Sequence, residues 1–163
     1  MQTALISNEK LIEQFYSSFS RRDYAGMIAC YSSKVEFTDP IFNLSGKRAW
    51  AMWHMLCESG KDLAITFKDI EADDKNGKAH WEARYTFSAT GRKVLNIVDA
   101  KFQFEDGKII RHQDHFNFWI WSRQALGPAG IFLGWSTLLQ KRVRGTASQN
   151  LAKFIAKHPE YHE

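Results

Sequence analysis

Ala79-His80-Trp81-Glu82-Ala83-Arg84-Tyr85-Thr86-Phe87 alternates residue by residue between two kinds of side chain. Trp81, Ala83, Tyr85 and Phe87 fall on one side of an extended chain; His80, Glu82, Arg84 and Thr86 fall on the other. This is the pattern of a strand with one apolar face. Working outward, Leu63, Ile65 and Phe67 alternate in the same way up to the turn Asp74-Lys75-Asn76-Gly77, whose Asn-Gly pair is a strong hairpin signal. Thr90-Gly91 turns the chain into a strand from Val94 to Phe104. Asp106-Gly107 then turns it into a fourth strand from Lys108 to about Trp121. The spacing predicts a meander of long antiparallel strands.

Upstream of the meander the period changes. Leu11, Ile12, Phe15, Tyr16 and Phe19 recur three and four residues apart, so 7–20 reads as an amphipathic helix capped by Ser7 or Asn8. Asp23 caps a second, short helix running to Tyr31, with Met27, Ile28 and Tyr31 inward. Val35 to Thr38 reads as a strand. Ser45-Gly46 opens a third helix through Trp50, Trp53, His54, Leu56 and Cys57, ending near Gly60. Helices followed by an antiparallel meander make the class α+β. After the meander, the uncharged run from Ala125 to Leu139 reads as a loop that packs on the body as a lid or a dimer contact, because Ile131, Phe132, Leu133 and Trp135 need burial. Residues 136–157 read as a helix striped by Leu139, Val143, Leu151, Phe154 and Ile155, and 158–163 as a frayed tail.

A chain of 163 residues fits one domain, here 1–163, with a core over about 7–122 and a C-terminal loop and helix extension over about 123–158. Twelve Phe, six Trp and five Tyr are more rings than a plain core of this size needs, which suggests a pocket or a buried interface. The net charge of +4 comes largely from the C-terminal third, without the basic stripe and interleaved aromatics of a nucleic-acid binder. Cys30 and Cys57 sit in helix-like apolar settings and read as buried thiols of a reducing compartment. Met1-Gln2-Thr3-Ala4 lacks the positive start and apolar run of a signal peptide, and no apolar segment reaches the roughly 20 residues that span a bilayer. The expectation is a cytoplasmic protein with no membrane and no nucleic-acid partner.

Val35-Glu36-Phe37-Thr38-Asp39-Pro40-Ile41-Phe42 carries the strongest chemical signal. Proline restricts the residue before it to extended geometry and ends regular pairing, so Asp39 is held at a strand terminus. Its neighbours Phe37, Ile41 and Phe42 are apolar. Burial disfavours a carboxylate's charged form and moves its pKa toward the range useful for proton transfer. The same dipeptide also opens turns and caps helices, so Asp39 has a structural reading beside the catalytic one.

The order of elements and these motifs together resemble the ketosteroid isomerase and SnoaL-like members of the nuclear-transport-factor-two-like superfamily. The resemblance covers about residues 7 to 122. Residues 5 to 40 follow the isomerase pattern without a gap, with Arg22-Asp23-Tyr24 where the family has Gly-Asp-Leu and with Asp39-Pro40 at the end. It implies a cone-shaped, strongly curved, mostly antiparallel sheet wrapped around the N-terminal helices, with a pocket between them. It also implies Asp39 as the catalytic base. Two departures accompany it. Phe15 stands where the isomerases place an oxyanion-donating Tyr, and Tyr16 lies about 100° further round the helix. The second oxyanion donor, a neutral carboxylic acid, falls on Asp99 in one strand register and on Ala100 in the other, and these face opposite ways. By the same resemblance, Ile110, His112, Asp114 and Phe116 of the last strand face the pocket.

His112 and Asp114, two apart on one strand face, would supply a titrating group and an orienting carboxylate. They equally fit a satisfied core histidine with its structural partner. The catalytic candidates are therefore Asp39, His112 and Asp114, and the candidate pocket residues are Phe15, Tyr16, Phe37, Trp53, Asp99 and Phe116. His115 falls on the opposite strand face from His112, so no metal site is expected there. Two functions are compatible with this layout. One is a cofactor-free isomerase, cyclase or epoxide-hydrolase-like enzyme acting on a small apolar molecule. The other is a non-catalytic ligand-binding or scaffold protein. In either case a homodimer through the outer sheet face is expected, because the strands carry apolar residues on both faces.

Overall fold

The computed structural model describes residues 7–163; the reading of Met1-Gln2-Thr3-Ala4 lies outside them. The chain opens with helix α1 (Asn8–Ser20), whose Ser7 side chain accepts from the Lys10 N–H at 3.2 Å. Leu11, Ile12, Phe15, Tyr16 and Phe19 form its buried stripe. Asp23 caps the short α2 (Tyr24–Ile28). Strand β1 (Tyr31–Thr38) and the brief β2 (Asn43–Ser45) follow, then helix α3 (Lys47–Ser59) between Gly46 and Gly60. Four long strands come next: β3 (Ala64–Ala72), β4 (Asn76–Phe87), β5 (Arg92–Glu105) and β6 (Lys108–His115). Helices α4 (Phe118–Leu126), α5 (Pro128–Leu133) and α6 (Thr137–Ala156) complete the chain, with a final 3₁₀ turn at Pro159–Tyr161.

The fold is α+β. One open six-stranded sheet has the order β2-β1-β6-β5-β4-β3. All neighbours are antiparallel except β1 and β6, which run parallel. The core lies between the inner sheet face and helices α1 and α3, where Phe15, Tyr16, Trp53, Val98, Phe102 and His112 are almost wholly buried. Cys30 and Cys57 are buried free thiols. Among the described residues, no helix is long and apolar enough to cross a membrane.

Several elements differ from the sequence reading. Tyr31 opens β1 rather than closing α2. The β3–β4 turn lies at Asp73–Lys75, where the Asp73 carboxylate accepts from the Lys75 and Asn76 N–H groups; Asn76-Gly77 already belongs to β4. Gly77 is needed there because a Cβ would come within 2.9 Å of Ile12 and Phe104. The fourth strand stops at His115, because the Asn117 side chain accepts from the Ile120 N–H at 3.0 Å and starts α4. A β-bulge at Gln103/Phe104 shifts the phase of β6, so Ile109, not Ile110, is the buried residue before His112.

The uncharged run is not a loop: it spans the end of α4, all of α5 and the first residues of α6, and Ile131, Phe132, Leu133 and Trp135, expected to be buried, are exposed. Gly130 lets α5 lie directly on α4, since a Cβ there would collide with the Ser122 carbonyl. Backbone packing of this kind turns the large side chains outward: Phe132 and Trp135 are each 72% exposed and Leu138 is 77% exposed. The tail is not frayed, because Tyr161 is buried and its hydroxyl lies 2.7 Å from His54 Nδ1. The outer sheet face is mainly polar, with exposed Asp99, Lys101, Gln103, Arg111 and Gln113 beside exposed Ile97. The apolar alternation in the sequence therefore points inward, which removes the motive for an outer-face dimer.

Candidate functional site

Strand β6 places His112 and Asp114 on the inner face, two residues apart, with His112 wholly buried. Phe15, Phe37, Trp53 and Phe102 surround the imidazole at ring-centroid distances of 5.4, 5.1, 5.9 and 4.4 Å. Both ring nitrogens are engaged. His112 Nε2 lies 2.8 Å from Asp114 Oδ1, and Nδ1 lies 2.6 Å from the Tyr31 hydroxyl. Trp53 Nε1 donates to the Tyr31 oxygen at 2.8 Å, and Trp81 Nε1 donates to Asp114 Oδ1 at 3.2 Å.

With a neutral imidazole, one proton arrangement satisfies the whole chain of contacts. Indole N–H groups only donate, so the Tyr31 oxygen accepts from Trp53 and its own proton goes to His112 Nδ1. Nε2 then carries the imidazole hydrogen and donates to the carboxylate. Trp53, Tyr31, His112, Asp114 and Trp81 form one satisfied chain running from α3 through β1 and β6 to β4. A substrate could take a proton from His112 only by breaking this chain. Both of its nitrogens are thus engaged within the fold, and its Nε2 contact places the Asp114 carboxylate.

Asp39 lies at the end of β1, as Pro40 dictates. It is half-buried. Its Oδ1 accepts from the Ile41 and Phe42 backbone N–H groups at 2.7 and 2.6 Å, and its own N–H donates to the Phe42 carbonyl. These are the contacts of a turn-opening aspartate. Burial pushes the Asp39 carboxyl up to about 7, against the opposing pull of the two N–H donors, with Asp114's charge adding to the rise and Arg144 reducing it. Arg144 of α6 donates to the Pro40 carbonyl at 2.8 Å, so the C-terminal helix closes over this loop. Asp39's charge also reaches Tyr85, whose hydroxyl accepts from Trp121 Nε1 at 2.8 Å and whose pKa is raised, chiefly by burial.

Of the pocket residues read from sequence, Phe15, Tyr16, Phe37, Trp53 and Phe116 are buried. Tyr16 does not turn away from the site. Its ring packs on Phe67, Trp81 and Phe102, and its hydroxyl is a buried polar atom with no hydrogen-bond partner. Burial, then Asp114's charge, drives its pKa well upward. Asp99 is excluded by register. It pairs with His115 while Ala100 pairs with Asp114, so Ala100 faces inward and Asp99 outward, where its carboxylate lies 3.0 Å from His80 Nδ1. A groove of about 530 Å³ lined by Lys78, Lys101, Gln103, Arg111 and Gln113 opens on that outer face, across the sheet from His112 and Asp114. Tyr31, Trp81 and Tyr85 were not among the candidate site residues. A bulge between Tyr31 and Glu36 interrupts the alternation before Val35, so the sequence carries no period-two signal that the strand starts at Tyr31.

No curated protein matches the chain by sequence. Solved structures do match its fold. An LEH-like epoxide hydrolase from M. tuberculosis superposes with a TM-score of 0.61 at 16% identity, over 78% of this chain and 97% of that one. A candidate polyketide cyclase from Xanthomonas campestris pv. campestris gives 0.60 at 21%, over 71% and 94%. A protein of ketosteroid isomerase-like fold from Catenulispora acidiphila, solved with trimethylamine, gives 0.64 at 7%, over 74% and 95%. At these identities the likeness is one of fold. The sequence model of the SnoaL-like domain matches residues 12–112, which run from α1 to the buried histidine of β6, and the chain belongs to that family.

Proposed function

We propose that the protein is a cofactor-independent enzyme that moves a proton on a small apolar substrate, in the manner of an isomerase, cyclase or epoxide hydrolase. Asp39 is its general base. Asp114, oriented by His112, is the second carboxylate of the site. The observation that carries this reading is the pairing of a half-buried carboxyl, whose proton affinity is tuned to neutral pH, with a second carboxylate held by two N–H donors. The Tyr16 hydroxyl, unpartnered and buried, is the free donor for an oxygen that gains charge. In the simplest case Asp39 takes a proton from carbon next to a carbonyl, the enolate oxygen accepts from Tyr16, and Asp39 returns the proton to carbon. The candidate cyclase and the epoxide hydrolase of the same fold favour chemistry of this type. The proposed setting is the cytoplasm.

The test is deuterium exchange. Apolar enolisable ketones incubated in D₂O should gain deuterium at the α-carbon with the wild-type protein and not with Asp39→Asn. Binding of the same ketones without exchange or turnover would overturn the enzyme reading.

One observation favours a second reading. The rings of Phe15, Phe37, Trp53 and Phe102 fill the space around His112. In that reading the protein binds a small ligand, or serves as a homodimeric scaffold, without catalysis. Light scattering at micromolar concentration tests the dimer.

A further inference from the structure

A second cluster of chemistry-bearing side chains lies where α3 meets the end of α6 and the final 3₁₀ turn. His54 and Glu58 are one helical turn apart, so both project from the same face. His158, just beyond α6, comes back against them. His54 Nε2 lies 3.6 Å from Glu58 Oε2, and His158 Nε2 lies 4.0 Å from the same oxygen. One donor atom from each residue lies within 4.8 Å of the other two, and among the described residues this is the one group of three that converges so closely.

We propose that His54, Glu58 and His158 bind a divalent transition-metal ion, zinc being the best fit to two imidazoles and a carboxylate. Three features beyond proximity support this assignment. First, His158 Nδ1 lies 2.7 Å from the Phe154 carbonyl, which can only accept, so Nδ1 carries the hydrogen and Nε2 turns its lone pair toward Glu58. His54 Nδ1 is likewise engaged, by the Tyr161 hydroxyl at 2.7 Å, which accepts when the imidazole donates from that nitrogen. This is the outer hydrogen bonding by which metal-binding histidines are oriented. Second, both rings are clamped: Tyr24 stacks on His54 at 3.5 Å and Phe154 on His158 at 3.9 Å. Third, the carboxylate is the adjustable member. The Glu58 side chain is 62% exposed, against 7% for His54 and 24% for His158. Tetrahedral zinc with bonds of about 2.0–2.1 Å needs its ligand atoms roughly 3.3 Å apart. The Glu58 oxygen stands 3.6 and 4.0 Å from the two Nε2 atoms, within reach of that spacing by rotation of its exposed side chain, and water completes the shell on that side. The ion would join α3 of the SnoaL-like domain to the segment beyond α6, which the family match does not reach.

The test uses tag-free full-length protein stripped of metal with a chelator, then titrated with Zn²⁺ by calorimetry and with Co²⁺ by visible absorption. The expected result is one equivalent bound per chain, a rise in thermal midpoint with Zn²⁺, and the absorption bands of a low-coordinate Co²⁺ site. His158→Ala should weaken binding by about 100-fold or more and Glu58→Gln by about 10-fold or more. Glu58 is at the surface, so its substitution leaves the fold intact and decides the matter even if His158→Ala disturbs the tail. No binding to the wild type would overturn the proposal. So would the same stoichiometry and affinity in Glu58→Gln.

Discussion

The Tyr31 hydroxyl lies 2.6 Å from His112 Nδ1 and takes the Trp53 indole N–H at 2.8 Å, so one oxygen joins the helix-borne tryptophan to the strand-borne histidine. Tyr31→Phe keeps the ring and removes that oxygen. Trp53 Nε1 and His112 Nδ1 then lose their partner inside the core. The expected cost is about 2 kcal/mol or more, read as a lower urea midpoint at unchanged slope. A midpoint equal to wild type would mean that water replaces the hydroxyl.

Asp39 gives a pH prediction with a definite sign. Its carboxyl ionises near 7 in the fold, against 3.8 for a freely solvated aspartate, because burial disfavours the charge. The folded chain therefore holds the proton more tightly than the unfolded one. This contribution to stability is complete below about 3.8 and is lost as pH rises through about 7, with a total on the order of 4 kcal/mol. Asp39→Asn should flatten that part of the stability profile and abolish exchange activity. In the wild type, activity should rise with pH through about 7 as the base ionises. A carboxyl seen by NMR to titrate near 4 would remove the general-base role.

His80 titrates on the outer face, where Glu82 at 2.9 Å and Asp99 at 3.0 Å accept from its ring. The hydrogen bond to Glu82 is the larger cause, that to Asp99 the next, and together they raise its pKa above 6.5. The charged pair helps the fold below that value and is lost as pH rises through the raised pKa. Proton NMR should show His80 titrating above 6.5, and Asp99→Asn should move it down. No response to Asp99→Asn would show that solvent outcompetes the contact.

Gly130 should not tolerate a side chain. A Cβ there would collide with the Ser122 carbonyl, which is backbone and cannot swing aside. Gly130→Ala should separate α5 from α4 and cost about 1–3 kcal/mol. Faster amide hydrogen exchange confined to Pro128–Leu133 would locate the damage. Wild-type exchange rates there would show that the two helices do not pack as described.

Alternation made the sheet readable, since Trp81, Ala83 and Tyr85 can lie on one face only of an extended chain. Caps made the helix starts readable at Ser7 and Asp23. What stayed hidden depends on contacts between distant residues. Phe116-Asn117-Phe118-Trp119 has the aromatic content of a strand, and only the Asn117 cap turns it into α4. The choice between Asp99 and Ala100 follows from pairing with His115 and Asp114. The bulge at Gln103/Phe104, invisible in either strand alone, moves the phase between Ile109 and His112. At the site, Asp39 and His112–Asp114 could be picked out as residue types. That His112 uses both nitrogens internally needed the neighbour supplied by β1.

The parallel contact between β1 and β6 sets an order of events for a chain leaving the ribosome. Tyr31 and His112 are 81 positions apart, and the meander between them pairs with itself first. Until Lys108–His115 emerges, β1 has only the three-residue β2 beside it, and Trp53 and Tyr31 wait with no imidazole to complete them. Closing so long a loop is slow compared with forming hairpins. Tyr31, Phe37 and Trp53 are synthesised early and His112 and Asp114 late, so the chain spends its most vulnerable interval with those rings uncovered.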